Sequence, residues 1–264
     1  MRQKVSAYII AYNEEKNIAG AVKSVLWADE VLVVDSFSTD QTVSIASELG
    51  AKVVQVPFEG FGKLRESAIA ATEHDWIFSL DTDERCTPEA REEIFTILSK
   101  EDARDAYYVP RRNLFMGREI KFSGWSPDYR QPQLFRRNAL KFSNDLVHEV
   151  FEVNGTIGYL KSSIWQIPFK NLSQQISKME RYSTLGAGKL AARGKHASMS
   201  GALLHGTAAF CRHYIFKLGF LDGWAGFVIA LGNFEGTFYR YAKKVEADRN
   251  WSEAENKLKG IIIQ

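Results

Sequence analysis

Asp81-Thr82-Asp83 follows the apolar run WIFSL at 76–80 and opens a polar loop that continues into Glu84. Two carboxylates one residue apart offer oxygen ligands to a hard divalent cation. Such a cation neutralises phosphate oxygens and stabilises a phosphate leaving group. The same residues would also serve as a solvated acidic loop or as the cap of a following helix. Asp35 directly follows EVLVV at 30–34. A carboxylate at a strand end accepts hydrogen bonds from a base or a sugar in nucleotide-binding folds, and Asp35-Ser36 equally suits an Asx turn. Tyr12-Asn13-Glu14 is a third polar cluster, after VSAYIIA at 5–11. Arg136-Arg137 follow QLF and offer bidentate phosphate binding or a solvated strand end; Arg111-Arg112 and Arg130 are of the same kind. His205 and His213, among aromatic residues, read as structural, and no histidine cluster has zinc spacing.

These clusters act together only if strands deliver them to one edge. The first hundred residues alternate strand and helix patterns. Strands are predicted at Val5–Ala11, Glu30–Val34, Val53–Val56 and Trp76–Leu80. Between them, Ile18, Ala21, Val22, Val25 and Leu26 recur at helical spacing, and 41–49 and 63–71 read as helices. Thr39 or Asp40 is placed to cap the second helix, and Gly50 ends it. A fourth helix starts near Pro88, with Ala90, Ile94, Ile97 and Leu98 on one face. Repeated βα units imply a mostly parallel sheet covered by helices. In such sheets ligands bind beyond the carboxyl ends of the strands, where all three acidic clusters fall.

Further along, 105–168 is strand-rich (YYVP, QLFR, VHEVFEV, SIWQI), and from about 173 the pattern turns helical, with Ile176, Met179 and Ser183 or Leu185 on one stripe. Residues 203–241 carry ten aromatic side chains, and glycines 219, 223, 226 and 232 are expected to divide them into short helices. The organisation is therefore a βα half at 1–100, a strand-rich half of the same domain at 101–170, and a helical, basic, aromatic section at 171–264.

Composition narrows the function. The 264 residues are 45% hydrophobic and 25% charged, which excludes a wholly disordered chain. A net charge of +2 argues against a dedicated nucleic-acid binder. The two cysteines, Cys86 and Cys211, are too few for a disulfide scaffold, which favours a reducing compartment. The N-terminus lacks the apolar core of a signal peptide, and no run of about 18 uncharged apolar residues predicts a spanning helix. The total charge conceals an asymmetry: 1–169 holds 20 Lys+Arg against 25 Asp+Glu, a charge of −5, whereas 170–264 holds 14 against 7, a charge of +7.

The motifs AYNEE, VVDSFSTD and LDTDE, in this order and spacing, resemble family 2 glycosyltransferases of the GT-A fold, a Rossmann-like sheet with helices on both faces. SGWSPDY, QLFRR, VHE and GFLDGWAGF extend the resemblance over nearly the full chain, to lipopolysaccharide inner-core heptose β-1,4-glucosyltransferases. The resemblance implies that Tyr12, beside Ala11, packs on the nucleotide base and that Asp35 is the first acid of the strand-two motif. Ser36 stands where many relatives carry a second acid. It implies further that Arg65 lies near base and diphosphate, that Asp83 is the ligand of a divalent metal (Mg²⁺ or Mn²⁺), and that Asp81 sits near ribose and metal, with Glu14 in the first motif. Inverting transfer also needs a carboxylate to deprotonate the acceptor hydroxyl. Asp128, on the loop GWSPDY, is one candidate; Glu149, beside His148, is the other.

The expected reaction is transfer of a hexose, glucose from UDP-glucose, onto a saccharide such as the inner-core heptose. The alternatives are another UDP-sugar, a polyprenyl phosphate acceptor, or a non-catalytic nucleotide-sugar-binding or membrane-scaffold protein. A lipid-linked acceptor and the basic, aromatic C-terminal section together suggest a cytoplasmic protein peripheral on an anionic membrane surface, the inner face of a bacterial cytoplasmic membrane. The same aromatics would otherwise pack over the sheet.

Overall fold

The computed structural model describes residues 2–142 and 151–249. The chain divides into two compact units, Met1–Leu114 with Pro127–Pro168, and Phe115–Ser126 with Phe169–Gln264. The strand-rich section expected at 101–170 thus lends 115–126 to the helical unit.

In the first unit the predicted βα alternation is present: β1 (Val5–Ala11), α1 (Ile18–Val25), β2 (Glu30–Asp35), α2 (Thr42–Glu48), β3 (Lys52–Gln55), α3 (Phe61–Ala71), β4 (Trp76–Asp81), the short β5 (Glu84–Arg85) and α4 (Pro88–Leu98). There follow β6 (Ala106–Tyr108), β7 (Arg111–Phe115), and then β9 (Pro132–Arg136), β10 (Leu140–Phe142), β11 (Phe151–Val153), β12 (Ile157–Tyr159) and β13 (Ile164–Gln166). Seven strands form one sheet in the order β12-β6-β9-β4-β1-β2-β3. β1 to β4 run parallel, and β9 is inserted antiparallel between β4 and β6.

Strand alternation feeds two cores. Val5, Ala7 and Ile9 of β1 and Trp76, Phe78 and Leu80 of β4 point to one face, where α1 and α4 bring Val22, Val25, Ile94 and Leu98. Tyr8 and Ile10 of β1 and Ile77 of β4 point to the other, under Leu64, Ala68 and Ile69 of α3. Helices therefore cover both faces, as the GT-A fold requires. Leu26, predicted on the buried face of α1, is instead its exposed C-cap. Thr87 caps α4, its hydroxyl oxygen accepting from Ala90 N–H at 3.1 Å, with Pro88 in the first turn.

The second unit holds β8 (Arg118–Ile120), α5 (Leu172–Ala192), α6 (Met199–Cys211), a π turn at Arg212–Phe216, a 3₁₀ turn at Gly219–Asp222, and α7 (Gly223–Arg249). Ser183 of α5 is buried, whereas Leu185 and Ile176 face solvent. The glycines behave differently from expectation. Chain breaks do occur at Gly219 and Gly223, but Gly226 and Gly232 lie inside one 27-residue helix. They act there as points of close approach. A Cβ on Gly226 would lie 1.8 Å from the carbonyl oxygen of Gly219, and one on Gly232 would meet Gln175 at 3.0 Å.

Candidate active site

Parallel register brings the acidic clusters to one edge. Ala11 pairs with Asp35, and Ile10 pairs with Asp81, so β1, β2 and β4 all end there. Beyond β1, Tyr12 is 61% exposed, a flat face open to a ligand. Asn13 takes the left-handed conformation (φ 52°) and ties the β1 turn to the β2 turn: its side-chain oxygen accepts from Thr39 N–H at 2.8 Å, and its N–H donates to Ser38 Oγ at 2.8 Å. Glu14 accepts from Asn17 Nδ2 at 2.7 Å, while its N–H donates to Thr42 Oγ1 at 2.8 Å. The loop bearing Tyr12 is thereby fixed by its neighbours.

Asp35 is fully buried. One oxygen accepts from Ser38 N–H at 2.8 Å and the other from the Ser38 hydroxyl. This is the Asx-type turn that its sequence also allowed. Ser36 is buried beside it. The N-cap of α2 is Gln41, with no side-chain cap, and neither Thr39 nor Asp40 holds that position; Asp40, just before it, accepts from Thr42 N–H at 2.9 Å through Oδ1.

A layered charge network surrounds the end of β4. Arg65 of α3, almost wholly buried, donates to Asp81 Oδ1 at 3.1 Å. Burial alone would raise the Asp81 carboxyl, but Arg65, and then Arg111 and Arg130, hold it below the usual carboxylate range. Asp83 Oδ2 accepts from Gln166 Nε2 at 3.1 Å, and its carbonyl oxygen accepts from Ile167 N–H at 2.9 Å, which anchors the loop to β13. Beneath both lies Glu84, fully buried. It accepts from Arg111 Nε at 2.5 Å, Gln133 Nε2 at 2.8 Å and Asp81 N–H at 3.0 Å. Burial pushes Glu84 up to about 7 against the pull of Arg111, and Asp81 and Asp83 add to the rise. Glu84, Gln133 and Gln166 are site residues that the sequence does not single out, and Arg111, which reads there as a phosphate ligand or a solvated strand end, is buried against Glu84. Glu84 is marked by its place in LDTDE, and Arg111 by the inward alternation of β7.

Asp128 joins this network. Arg111 N–H donates to its carbonyl oxygen at 3.1 Å, and its carboxylate accepts from Arg130 at 2.7 and 3.2 Å and from Asn113 Nδ2 at 3.4 Å. Glu149 and His148 lie outside the described residues.

Arg136 and Arg137 do not join the network. Arg136 pairs with Trp76 at the start of β4, five residues and so roughly 16 Å from Asp81. Its guanidinium lies over the Trp76 ring at 4.6 Å and bonds Asp75 at 3.0 Å. Arg137 donates to the carbonyl oxygens of Ile69, Thr72 and His74 at 2.7, 2.6 and 3.0 Å, closing the end of α3. The strand that leads to them runs antiparallel, so the structure does not bring Arg136 and Arg137 together with the strand-end carboxylates.

Among the described residues no group of three or more His, Cys, Asp or Glu side chains gathers for a metal. Asp81 and Asp83 fit a hard cation all the same. One or two carboxylates completed by substrate phosphates and water is the usual Mg²⁺ set, and an all-oxygen set also suits Mn²⁺.

The family model for Glycosyl transferase family 2 matches residues 6–167. An uncharacterised glycosyltransferase of Rickettsia felis is 31% identical over 93% of this chain and 90% of its own. The lipopolysaccharide core biosynthesis glycosyltransferase LpsC of Rhizobium meliloti is 27% identical over 90% of this chain and 91% of its own. Among solved structures, S. aureus TarS 1-349 aligns over 96% of this chain and 91% of its own at 19% identity and a TM-score of 0.48. Glucosyl-3-phosphoglycerate synthase of Mycobacterium tuberculosis aligns over 42% and 44% at 27% identity and a TM-score of 0.36.

Proposed function

Because the chain belongs to glycosyl transferase family 2, we propose that this glycosyltransferase moves a hexose, glucose from UDP-glucose, with inversion onto the heptose of a lipopolysaccharide inner core. The observation that carries the reading is the meeting of the Tyr12, Asp35 and Asp81–Asp83 clusters at the carboxyl ends of three adjacent parallel strands. The LpsC relative supports the acceptor class.

In this reading the exposed Tyr12 ring stacks on uracil and the rigid Asp35-Ser36 turn borders the ribose. Asp83, with Asp81, would hold a divalent cation, which supplies charge neutralisation at the departing diphosphate. Arg65 is held against Asp81 and keeps it ionised at neutral pH. Asp128 takes the proton from the attacking heptose hydroxyl. Its partner Arg130 is half exposed, and a guanidinium matches a diphosphate. Arg130 drawn to the donor leaves Asp128 available as base. A lipid-linked acceptor would call for an enzyme peripheral on the cytoplasmic membrane's inner face.

The test is a panel of nucleotide sugars offered to the purified protein with extracted core lipid, the product linkage being read by NMR. UDP-glucose giving a β-linked glucosyl-heptose supports the proposal. Transfer from UDP-GlcNAc or UDP-galactose alone replaces the donor, and transfer only to polyprenyl phosphate replaces the acceptor.

A further inference from the structure

We propose that the bend between α6 and α7 is a membrane-insertion element that docks the enzyme on an anionic bilayer surface. The inference gives the peripheral location above a structural means, and it can be measured without donor or acceptor. Phe216 and Trp224 are each 78% exposed, and Leu218, Phe220 and Leu221 at the bend also face solvent. Apolar side chains clustered this densely on a surface mark an interaction site.

The bend presents these residues rigidly. Asp222, buried, accepts from Lys121 N–H at 3.0 Å, Phe122 N–H at 3.1 Å and the Ser123 hydroxyl at 2.7 Å. His213 Nδ1 lies 2.9 Å from the Ser123 carbonyl oxygen. Gly226 lets the Gly219 carbonyl seat directly against α7, and Leu218 holds a left-handed conformation (φ 54°) at the apex. The exposed Phe220 and Trp224 are braced by Tyr214 and Phe227 in a chain of edge-to-face rings at 5.8–6.3 Å. The structure thus fixes apolar groups outward, instead of folding them away.

Charge selects the occupant. From 196 to 234 the chain carries Arg212 and Lys217, at the bend itself, against a single carboxylate, Asp222, which is buried. Arg212 and Lys217 flank the apolar residues and are exposed. Aromatic and aliphatic groups framed by Lys and Arg suit the interface of an anionic bilayer. No single described helix is long and apolar enough to cross a membrane, and the bent pair 199–216 and 219–249 turns through 70°. That geometry fits a wedge lying in the interface.

The full-length protein should co-sediment with phosphatidylcholine vesicles containing phosphatidylglycerol, and only weakly with phosphatidylcholine alone. The F216S/W224S variant should lose partitioning by on the order of a hundredfold, and R212A/K217A roughly fivefold for each cation. Both should keep the wild-type melting profile and donor hydrolysis. Brominated lipid should quench wild-type fluorescence more than that of W224F. Wild-type protein that stays in the supernatant, or F216S/W224S that binds as wild type does, overturns the proposal. So does a wild-type dimer that F216S/W224S converts to monomer, which would assign the face to a second copy. Absent sugar transfer to core lipid from every nucleotide sugar would overturn the transferase reading while leaving the vesicle result intact.

Discussion

Replacing Arg111 with Gln tests whether the network beneath the acidic loop is held by charge. Arg111 and Glu84 are both inaccessible, their side chains 2% and 0% exposed, and Nε to Oε1 is 2.5 Å. R111Q removes the only counter-ion bonded to Glu84 in the described structure and leaves a buried carboxyl behind. Breaking such a pair costs about 3–5 kcal/mol, or roughly 6–20 °C in Tm for a chain of this size. The pH dependence has a definite sign. The folded Glu84 titrates near 7, above its ordinary 4.5. Its proton-linked stability is therefore fully present below 4.5 and is lost as pH rises through about 7. Without Arg111 the carboxyl rises further, so the variant continues to lose stability at higher pH. The deficit against wild type should be modest near about pH 5 and widest near about pH 8. Calorimetric or fluorescence melting across this range measures it, with R111K recovering part of the loss. A variant melting within about 1 °C of wild type at every pH would show that the ion pair does not organise the loop.

Asp128→Asn and Glu149→Gln separate the two candidate bases: D128N should lower kcat by about 10²–10⁴-fold with donor KM nearly unchanged, and E149Q should not, as steady-state kinetics with core lipid would reveal. Gly226→Ala would drive a methyl into the Gly219 carbonyl; about 1–3 kcal/mol or more of destabilisation is expected, read by melting, whereas Gly188→Ala, with open space around it, should be neutral or slightly stabilising.

Much of the first unit was legible because its signals are local. Strand runs and helix faces between residues 5 and 98 follow from periodicity, and Pro88 marks the start of α4. The convergence of Tyr12, Asp35 and Asp81 followed from the rule for parallel sheets. What was not legible depends on partners distant in sequence. Asp35 allowed two readings, and only the Ser38 contacts show it bound into its own turn. Arg136 and Arg137 read as phosphate ligands or a solvated strand end, and only the antiparallel pairing of β9 shows that they lie at the other end of the sheet from the carboxylates. Glu84 looked like loop surface, and it is buried because Arg111 and Gln133 come to meet it. Gly226 and Gly232 looked like breakers, because sequence carries no record of the turn at Gly219 or of Gln175 of α5 that come against them.

The strand-end carboxylates, with Asp83 at their head, would bind the nucleotide diphosphate through a divalent cation. Calorimetric titration of UDP into the protein, with and without Mn²⁺, tests it most directly. Binding should depend on the metal, be abolished by Asp83→Ala at an unchanged Tm, and survive Arg136→Ala and Arg137→Ala. Undiminished binding to D83A, or binding lost in the Arg136 or Arg137 variants while they remain folded, would contradict it.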